Sequence, residues 1–288
     1  MKKKIYVKFS GGLGNQMFQY AFLLMLEKKY PSYEIKAEVS YYLKKNFSTI
    51  ELEEVLGIEL TKQTFFESLK YGDFLAKVCF ILFSKQLFQR RKNRILERDY
   101  MNAKIKNHSL LSGYWQSENF FKECEEVIRQ KMTLPSPQDE KSKEYLKDIE
   151  ESFSVSVHVR RGDYLSGNNP SYFVDLSETQ YYKNAIDYIR DNYTNCKFFV
   201  FSDDIDWCKK KFTGEDFLFV DGNSKKDAWK DIYLMSKCKA NIVANSSFSW
   251  WGAYLGQKNF VLAPSYLGAE FEKSHPNYYP ENWIKIEC

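Results

Sequence analysis

Ile5-Tyr6-Val7-Lys8-Phe9-Ser10-Gly11-Gly12-Leu13-Gly14-Asn15-Gln16 changes character twice within a few residues, and that change decides how the chain is read. Ile5 to Phe9 alternates and is rich in β-branched and aromatic residues, which predicts a strand. Ser10 to Gln16 is a glycine loop, and Met17 to Lys29 then carries apolar side chains at helical spacing until Pro31 stops it. Strand, glycine loop and helix in that order open a Rossmann-like domain. The loop lacks the G-x-G-x-x-G spacing and the Gly-Lys-Ser/Thr of a P-loop, so neither a dehydrogenase nor a phosphate-cleaving NTPase is supported.

Outward from this stretch, residues 32 to 135 give a weaker pattern. Phe65 to Phe88 is apolar and reads as helical, followed by the basic tail Arg90-Arg91-Lys92-Asn93-Arg94. It suits a helix packed into the first domain or, alternatively, one lying on an anionic membrane. Leu134-Pro135-Ser136-Pro137 breaks the pattern, Lys141 to Ile149 reads as a charged surface helix, and the domain boundary is placed between residues 151 and 152. Strands are then expected at Phe153–Val159, Lys197–Phe201, Asp216–Val220, Asn241–Ala244 and Asn259–Ala263. Helices are expected at Thr179–Asn192, Ile205–Lys211, Lys226–Lys237 and Trp250–Leu255. Such alternation predicts a parallel doubly wound sheet in 152–288, with the C-terminal tail free to pack back on 1–151.

The bulk numbers agree with a globular α/β protein. A chain of 288 residues with 44% apolar and 28% charged residues fits two modest domains sharing a cleft. Its 17% aromatic content suits an aromatic core, or rings stacked on the C–H faces of sugars. The net charge of +4 falls short of a nucleic-acid stripe but suits an anionic nucleotide. Six cysteines are scattered without C-x-x-C pairs, which predicts free thiols in a reducing compartment rather than disulfides or zinc. The apolar stretch behind Met1-Lys2-Lys3-Lys4 is too short for an export signal. No run reaches about 18 apolar residues, so the cytosol is the expected location, with a peripheral stay at the inner face of the plasma membrane as the variant.

Two segments carry most of the chemistry. In Ser156-Val157-His158-Val159-Arg160-Arg161-Gly162-Asp163, strand alternation sends Val155, Val157 and Val159 one way and Ser156, His158 and Arg160 the other. His158 and Arg160 then point together from a strand's carboxyl end, where open α/β sheets bind ligands. The arginine offers a planar fork to phosphate, and the imidazole a hydrogen bond to a base or ribose. Arg161 and Asp163 are candidates for the same ligand or for a salt bridge across a turn. In Ala244-Asn245-Ser246-Ser247-Phe248-Ser249-Trp250-Trp251-Gly252, a strand leads into a helix whose exposed N–H groups suit a diphosphate. One serine is also the natural helix cap. Asp203-Asp204 brings a metal-dependent transferase into view, but adjacent side chains of an extended segment diverge.

Taken together the chain resembles the bacterial α-1,2-fucosyltransferases of glycosyltransferase family eleven. The resemblance rests on Gly11-Gly12-Leu13-Gly14-Asn15-Gln16-Met17-Phe18-Gln19-Tyr20, Gly113-Tyr114-Trp115-Gln116-Ser117-Glu118, His158 to Tyr164, Phe201-Ser202-Asp203-Asp204, Asp231-Ile232-Tyr233 and Asn245 to Ala253. Only residues 40 to 105 carry no block. The resemblance implies a GT-B-like α/β fold, two facing Rossmann-like domains with a donor cleft, and an inverting reaction that needs no metal or other cofactor. It implies GDP-L-fucose as donor and a galactose-terminated glycan as acceptor. By the same resemblance, Arg160 and Asn15 are catalytic. His158, Arg161, Asp163, Asp231, Asn245, Ser246, Ser247, Phe248, Gly12 and Gly14 line the donor, and Tyr114, Trp115 and Gln116 the acceptor. Rival readings are a fucosyltransferase of α-1,3 or α-1,6 linkage, and a non-catalytic nucleotide- or glycan-binding protein.

Overall fold

The computed structural model describes residues 2–43, 50–64, 66–67, 93–162, 172–223, 225–256 and 260–288. Nearly all of the Phe65–Phe88 stretch, and Asp163 with it, lies outside these residues.

In the first unit β1 (Lys3–Lys8) is a central strand, paired in parallel with β2 (Tyr33–Glu38) on one side and β4 (Ser109–Ser112) on the other. With β3 (Arg94–Leu96) the sheet order is β2-β1-β4-β3. Ile5, Tyr6 and Val7 are buried because both faces of a parallel sheet are covered. Helix α1 (Leu13–Lys29) follows β1, four residues earlier at its start than periodicity alone predicts (17 − 13 = 4). It is buried along almost its whole length to Leu26, as expected of a helix apolar all round. Gly11, at φ +84°, makes the turn between strand and helix, a conformation that costs other residues a Cβ clash.

The second unit holds a six-stranded parallel sheet in the order β10-β9-β8-β5-β6-β7. Its strands are β5 (Phe153–Val159), β6 (Cys196–Ser202), β7 (Phe217–Phe219), β8 (Ala240–Ile242), β9 (Phe260–Pro264) and β10 (Ile284–Ile286). From β5 the chain winds outward one way through β6 and β7, then returns to β5's other side and winds outward through β8, β9 and β10. That is the Rossmann order, with its switch point between β5 and β8. Val155, Val157 and Val159 form the core with Tyr181, Ile186, Phe198 and Val200. The alternation of β5 therefore runs as its sequence predicts.

The chain divides into compact units at Thr133/Leu134, earlier than the 151/152 boundary expected from sequence. Helix Glu140–Glu151 goes with the second unit because its ties lie there. Lys230 pairs with Asp139 at 3.0 Å, Lys141 with Asp221, and the Tyr145 hydroxyl donates to the Phe219 carbonyl at 3.2 Å. The C-terminal strand β10 is likewise an edge strand of the second sheet, paired with β9.

One buried amide joins the layers next to the switch point. Asn241 Nδ2 donates to Ser156 Oγ (2.6 Å) and to the Met235 carbonyl at the end of helix Ala228–Lys237 (2.8 Å). Asn241→Ala leaves both acceptors buried without that donor, so we expect a loss of about 2–3 kcal/mol in unfolding free energy. Urea denaturation followed by circular dichroism checks this; a loss under about 0.5 kcal/mol would contradict it.

Candidate functional site

The two loops that leave the β5/β8 switch point diverge, one running toward β6 and the other toward β9, and the space between them opens at the sheet's carboxyl edge. His158 lies on β5 and Arg160 begins the first loop, while Asn245 and Ser246 lie in the second and Ser247 and Phe248 open the helix after it. The structure brings them together: the rings of His158 and Phe248 lie 5.6 Å apart. His158 is 4% exposed, and its Nδ1 has no hydrogen-bond partner. Burial, reinforced by the nearby Arg160 charge, pushes its pKa down to about 3, so the ring is neutral at every working pH. It is a fixed neutral hydrogen-bonding group rather than a titrating base.

Arg160 and Arg161 are adjacent in sequence and opposite in use. Arg160 Nη1 pairs with Asp203 Oδ2 at 3.1 Å, and a third of its side chain stays open to solvent. Asp203 also accepts the backbone N–H groups of Arg161 (3.0 Å) and Gly162 (3.1 Å). The turn after β5 is thus wrapped around one carboxylate. A Cβ on residue 162 would meet Asp203 Oδ2 at 2.8 Å, which explains the glycine there. Arg161 turns inward, donating to Asp204 (3.2 Å) and to Ser177, with its guanidinium 4.1 Å from the Trp207 ring centre. Arg161, expected to line a donor, is thus placed with its Nε and Nη1 turned to the protein. The Asp203-Asp204 pair diverges as expected, since Asp204 also caps the helix Ile205–Lys211 through the Trp207 N–H.

Ser246 is the cap of the helix Ser247–Leu255, accepting the Phe248 N–H at 3.3 Å. Asn245 is buried and donates to the Val174 carbonyl at 2.9 Å, so it anchors the loop. Asp231 faces Asn223, whose amide donates to it at 2.5 Å. Burial is the larger influence and raises the Asp231 pKa to about 7, with Asn223 pulling the other way.

In the first unit the segments that follow the neighbouring strands β1 and β4 carry two sequence blocks, and these meet. Gln116 Nε2 donates to Asn15 Oδ1 at 2.7 Å. Gln19 accepts the Ser10 N–H at 2.9 Å and reaches the Gly113 carbonyl at 3.4 Å. Gly12 is the residue before α1, with nothing within 4 Å of a would-be Cβ, while Gly14 is buried inside the helix. Tyr114 is 41% exposed, but Trp115 is fully buried, its ring stacked 3.8 Å from that of Phe22. Trp115, expected on the acceptor side, thus places its large apolar ring in the core. Sequence reading missed Glu97, which accepts the N–H groups of Tyr114 (2.7 Å) and Trp115 (2.9 Å). It lies in the stretch without a recognisable block, and a lone glutamate carries no pattern.

Two units, each built on a parallel sheet with helices packed against it, define an α/β protein of the GT-B type. The chain belongs to glycosyl transferase family 11, whose profile matches residues 1–287. It is 33% identical to an Escherichia coli alpha-1,2-colitosyltransferase over 98% of this chain and 99% of that one. It is 31% identical to the E. coli O-antigen biosynthesis glycosyltransferase WbnK, over 98% and 100%. A galactoside alpha-(1,2)-fucosyltransferase 1 of Aotus azarae is 28% identical over 62% of this chain and 52% of its own length. Among solved structures, the Bradyrhizobium fucosyltransferase NodZ matches with a TM-score of 0.50 at 16% identity, over 89% of this chain and 93% of that one. That likeness shows the fold.

The contrast between the two arginines is measurable. Arg161→Ala should lower unfolding free energy by about 2 kcal/mol, since it strands Asp204 and uncovers Trp207, whereas Arg160→Ala should lower it by less than about 1 kcal/mol. Thermal denaturation of the two variants side by side tests this, and equal losses would refute it.

Proposed function

We propose that this chain moves L-fucose from GDP-β-L-fucose to the 2-hydroxyl of a β-galactoside in a surface glycan, with inversion and without a metal. The observation that carries this reading is the Arg160 guanidinium, fixed by Asp203 at the β5/β8 switch point opposite the start of the Ser247–Leu255 helix. Membership of family 11 supports sugar transfer, and the relatives' names support an α-1,2 linkage and an O-antigen or similar glycan.

In this reading, cleavage of the sugar–phosphate bond puts charge on GDP while the fucose ring becomes oxocarbenium-like. Arg160 and the start of the Ser247–Leu255 helix stabilise the β-phosphate where that charge develops. Because they are already oriented, little reorganisation is needed. His158, neutral and buried, offers its unpartnered Nδ1 to the donor. Asp231 accepts N–H groups of guanine, and Asn15 with Gln116 and Tyr114 serves the fucose and acceptor side. Asp203 already holds two backbone amides and Arg160, so it is not assigned as base; a loose transition state needs little base help. The acceptor is a galactose-terminated glycan and the setting the cytosolic side of a membrane. Among the described residues no helix is long and apolar enough to cross one.

The 33% identity to a colitosyltransferase favours a second reading, in which a colitosyl group replaces fucosyl at the same site. A screen of activated donors against galactosides, with product linkage read by NMR, separates the two. GDP-fucose giving an α-1,2 product supports the first, and turnover with the colitosyl donor alone supports the second.

Arg160→Ala should lower kcat about a hundredfold or more, the loss of roughly 3 kcal/mol of charge stabilisation. A variant keeping more than a tenth of the wild-type rate would remove the role. Asp231 gives a pH signature. Its raised pKa means the folded protein holds this proton more tightly than the unfolded chain, so ionising it costs stability as pH rises toward and through 7. Guanine N–H groups need the ionised acceptor, so donor affinity should increase from pH 6 to pH 8. The donor KM should fall about fivefold to tenfold across that range, and Asp231→Asn should flatten the profile. A KM that rises, or a variant with the wild-type slope, would count against it.

A further inference from the structure

Glu97 begins a 3-10 turn just after β3, away from every motif used so far. Its carboxylate Oε2 takes two consecutive backbone N–H groups, those of Tyr114 at 2.7 Å and Trp115 at 2.9 Å. Trp115 is in the left-handed region at φ +60°, which turns the successive amides of this loop toward one point. Such a concavity of N–H groups binds an anion, and here the protein supplies the anion from its own side chain. The neighbouring residue gives way to it, because a Cβ at Gly113 would stand 2.5 Å from both Cβ and Oε2 of Glu97. Burial raises the Glu97 pKa, while the amides of Trp115, Tyr114 and Gln116 pull it back.

The held loop reaches the glycine-loop block through a side chain. Gln116, itself buried, donates through Nε2 to Asn15 Oδ1 at 2.7 Å. That bond sets which way the Asn15 amide faces: its oxygen toward Gln116, its nitrogen toward Gly11, where a Cβ would come within 2.4 Å of Nδ2. Without the Glu97 carboxylate the left-handed turn at Trp115 loses its electrostatic reason, Gln116 is released, and the Asn15 amide is free to flip donor for acceptor.

We infer that Glu97 is a positioning residue, a built-in anion that holds the Gly113–Gln116 turn so that Gln116 fixes the Asn15 amide with its oxygen toward Gln116 and its nitrogen on the Gly11 side. The inference rests on the reading above that Asn15 serves the reacting sugar. Because displacement of a positioned group by an ångström costs up to about a hundredfold, Glu97→Ala should lower kcat about tenfold to a hundredfold with GDP affinity unchanged. Glu97→Asp should lose as much, since the shorter side chain does not reach both amides. Glu97→Gln keeps one acceptor oxygen and should lose less.

The deciding measurement is a double-mutant cycle with Asn15→Ala on donor turnover, with GDP affinity by calorimetry and the melting temperature beside it. Expected is full coupling: Glu97→Ala in the Asn15→Ala background adds less than about twofold. Losses that multiply, or a kcat loss matched by weakened GDP binding or a collapsed fold in Glu97→Gln as well, would overturn it. If the wild type turns over no activated donor, the proposed function fails rather than this inference, which is then decided on labelled protein by NMR. The Asn15 side-chain amide signals should move in Glu97→Gln, and unchanged signals would overturn it.

Discussion

The second unit depends on one topological constraint: a parallel sheet wound outward in two directions from β5 must leave a gap where the directions part. Strands on either side of that gap send their chains away from each other, which is where open α/β sheets bind ligands. The β5 and β8 pairing, Val155 to Ala240 through Val157 to Ile242, sets the depth at which the two loops emerge. Every donor-side candidate from those two loops follows from that register. The buried Asn241–Ser156 contact between the two strands keeps it from slipping.

Within that frame, charge is divided by geometry rather than by residue type. Arg160 ends the outward-facing row of β5 and sits beside an opening, while Arg161 is the first residue turned back over the helix Ile205–Lys211. Asp203 serves both, as acceptor for the Arg160 guanidinium and for two amides of the same turn. An exposed ion pair is worth little by itself, but a carboxylate with three converging donors fixes a loop. The consequence is a guanidinium held in orientation before any ligand arrives.

Much of the second half of the fold was legible because strands rich in β-branched and aromatic residues alternate with helices, although strand β10 and helix Ala269–Ser274 were not expected. Helix Ile205–Lys211 occupies the residues expected of it, and helix Glu140–Glu151 differs by a residue or two at each end. The first half was harder for a physical reason. Tyr33–Glu38 spells Tyr-Glu-Ile-Lys-Ala-Glu, and Lys36 and Glu38 are buried in the sheet through ion pairing and hydrogen bonds that no local pattern announces. The paired loops of the site were visible as motifs, but the partner that shapes one of them, Glu97, was not. Its role comes from a contact across 17 residues with Tyr114, and nothing local to either residue encodes it. Likewise the contacts of Arg161 with Ser177 and Trp207 join distant stretches of the chain, and nothing local to Arg161 encodes them.

The aromatic richness of the chain resolves in the same way. Trp115, Trp250 and Trp251 all belong to motif blocks, and all three are fully buried. Trp250 stacks on Tyr254 at 4.6 Å and donates its indole N–H to the Tyr278 carbonyl, while Trp115 packs between Phe22 and the edge of Tyr100. These rings offer no face to a sugar. They sit instead directly beneath the residues that carry polar groups: Trp115 between Tyr114 and Gln116, Trp250 behind Ser247 and Phe248. A rigid aromatic base under a polar tip removes rotamer and loop freedom before binding, which is where a site gains precision without adding contacts. The tryptophans of this family pattern are therefore best understood as anvils for their neighbours, with the ring of Tyr114 left exposed beside one of them.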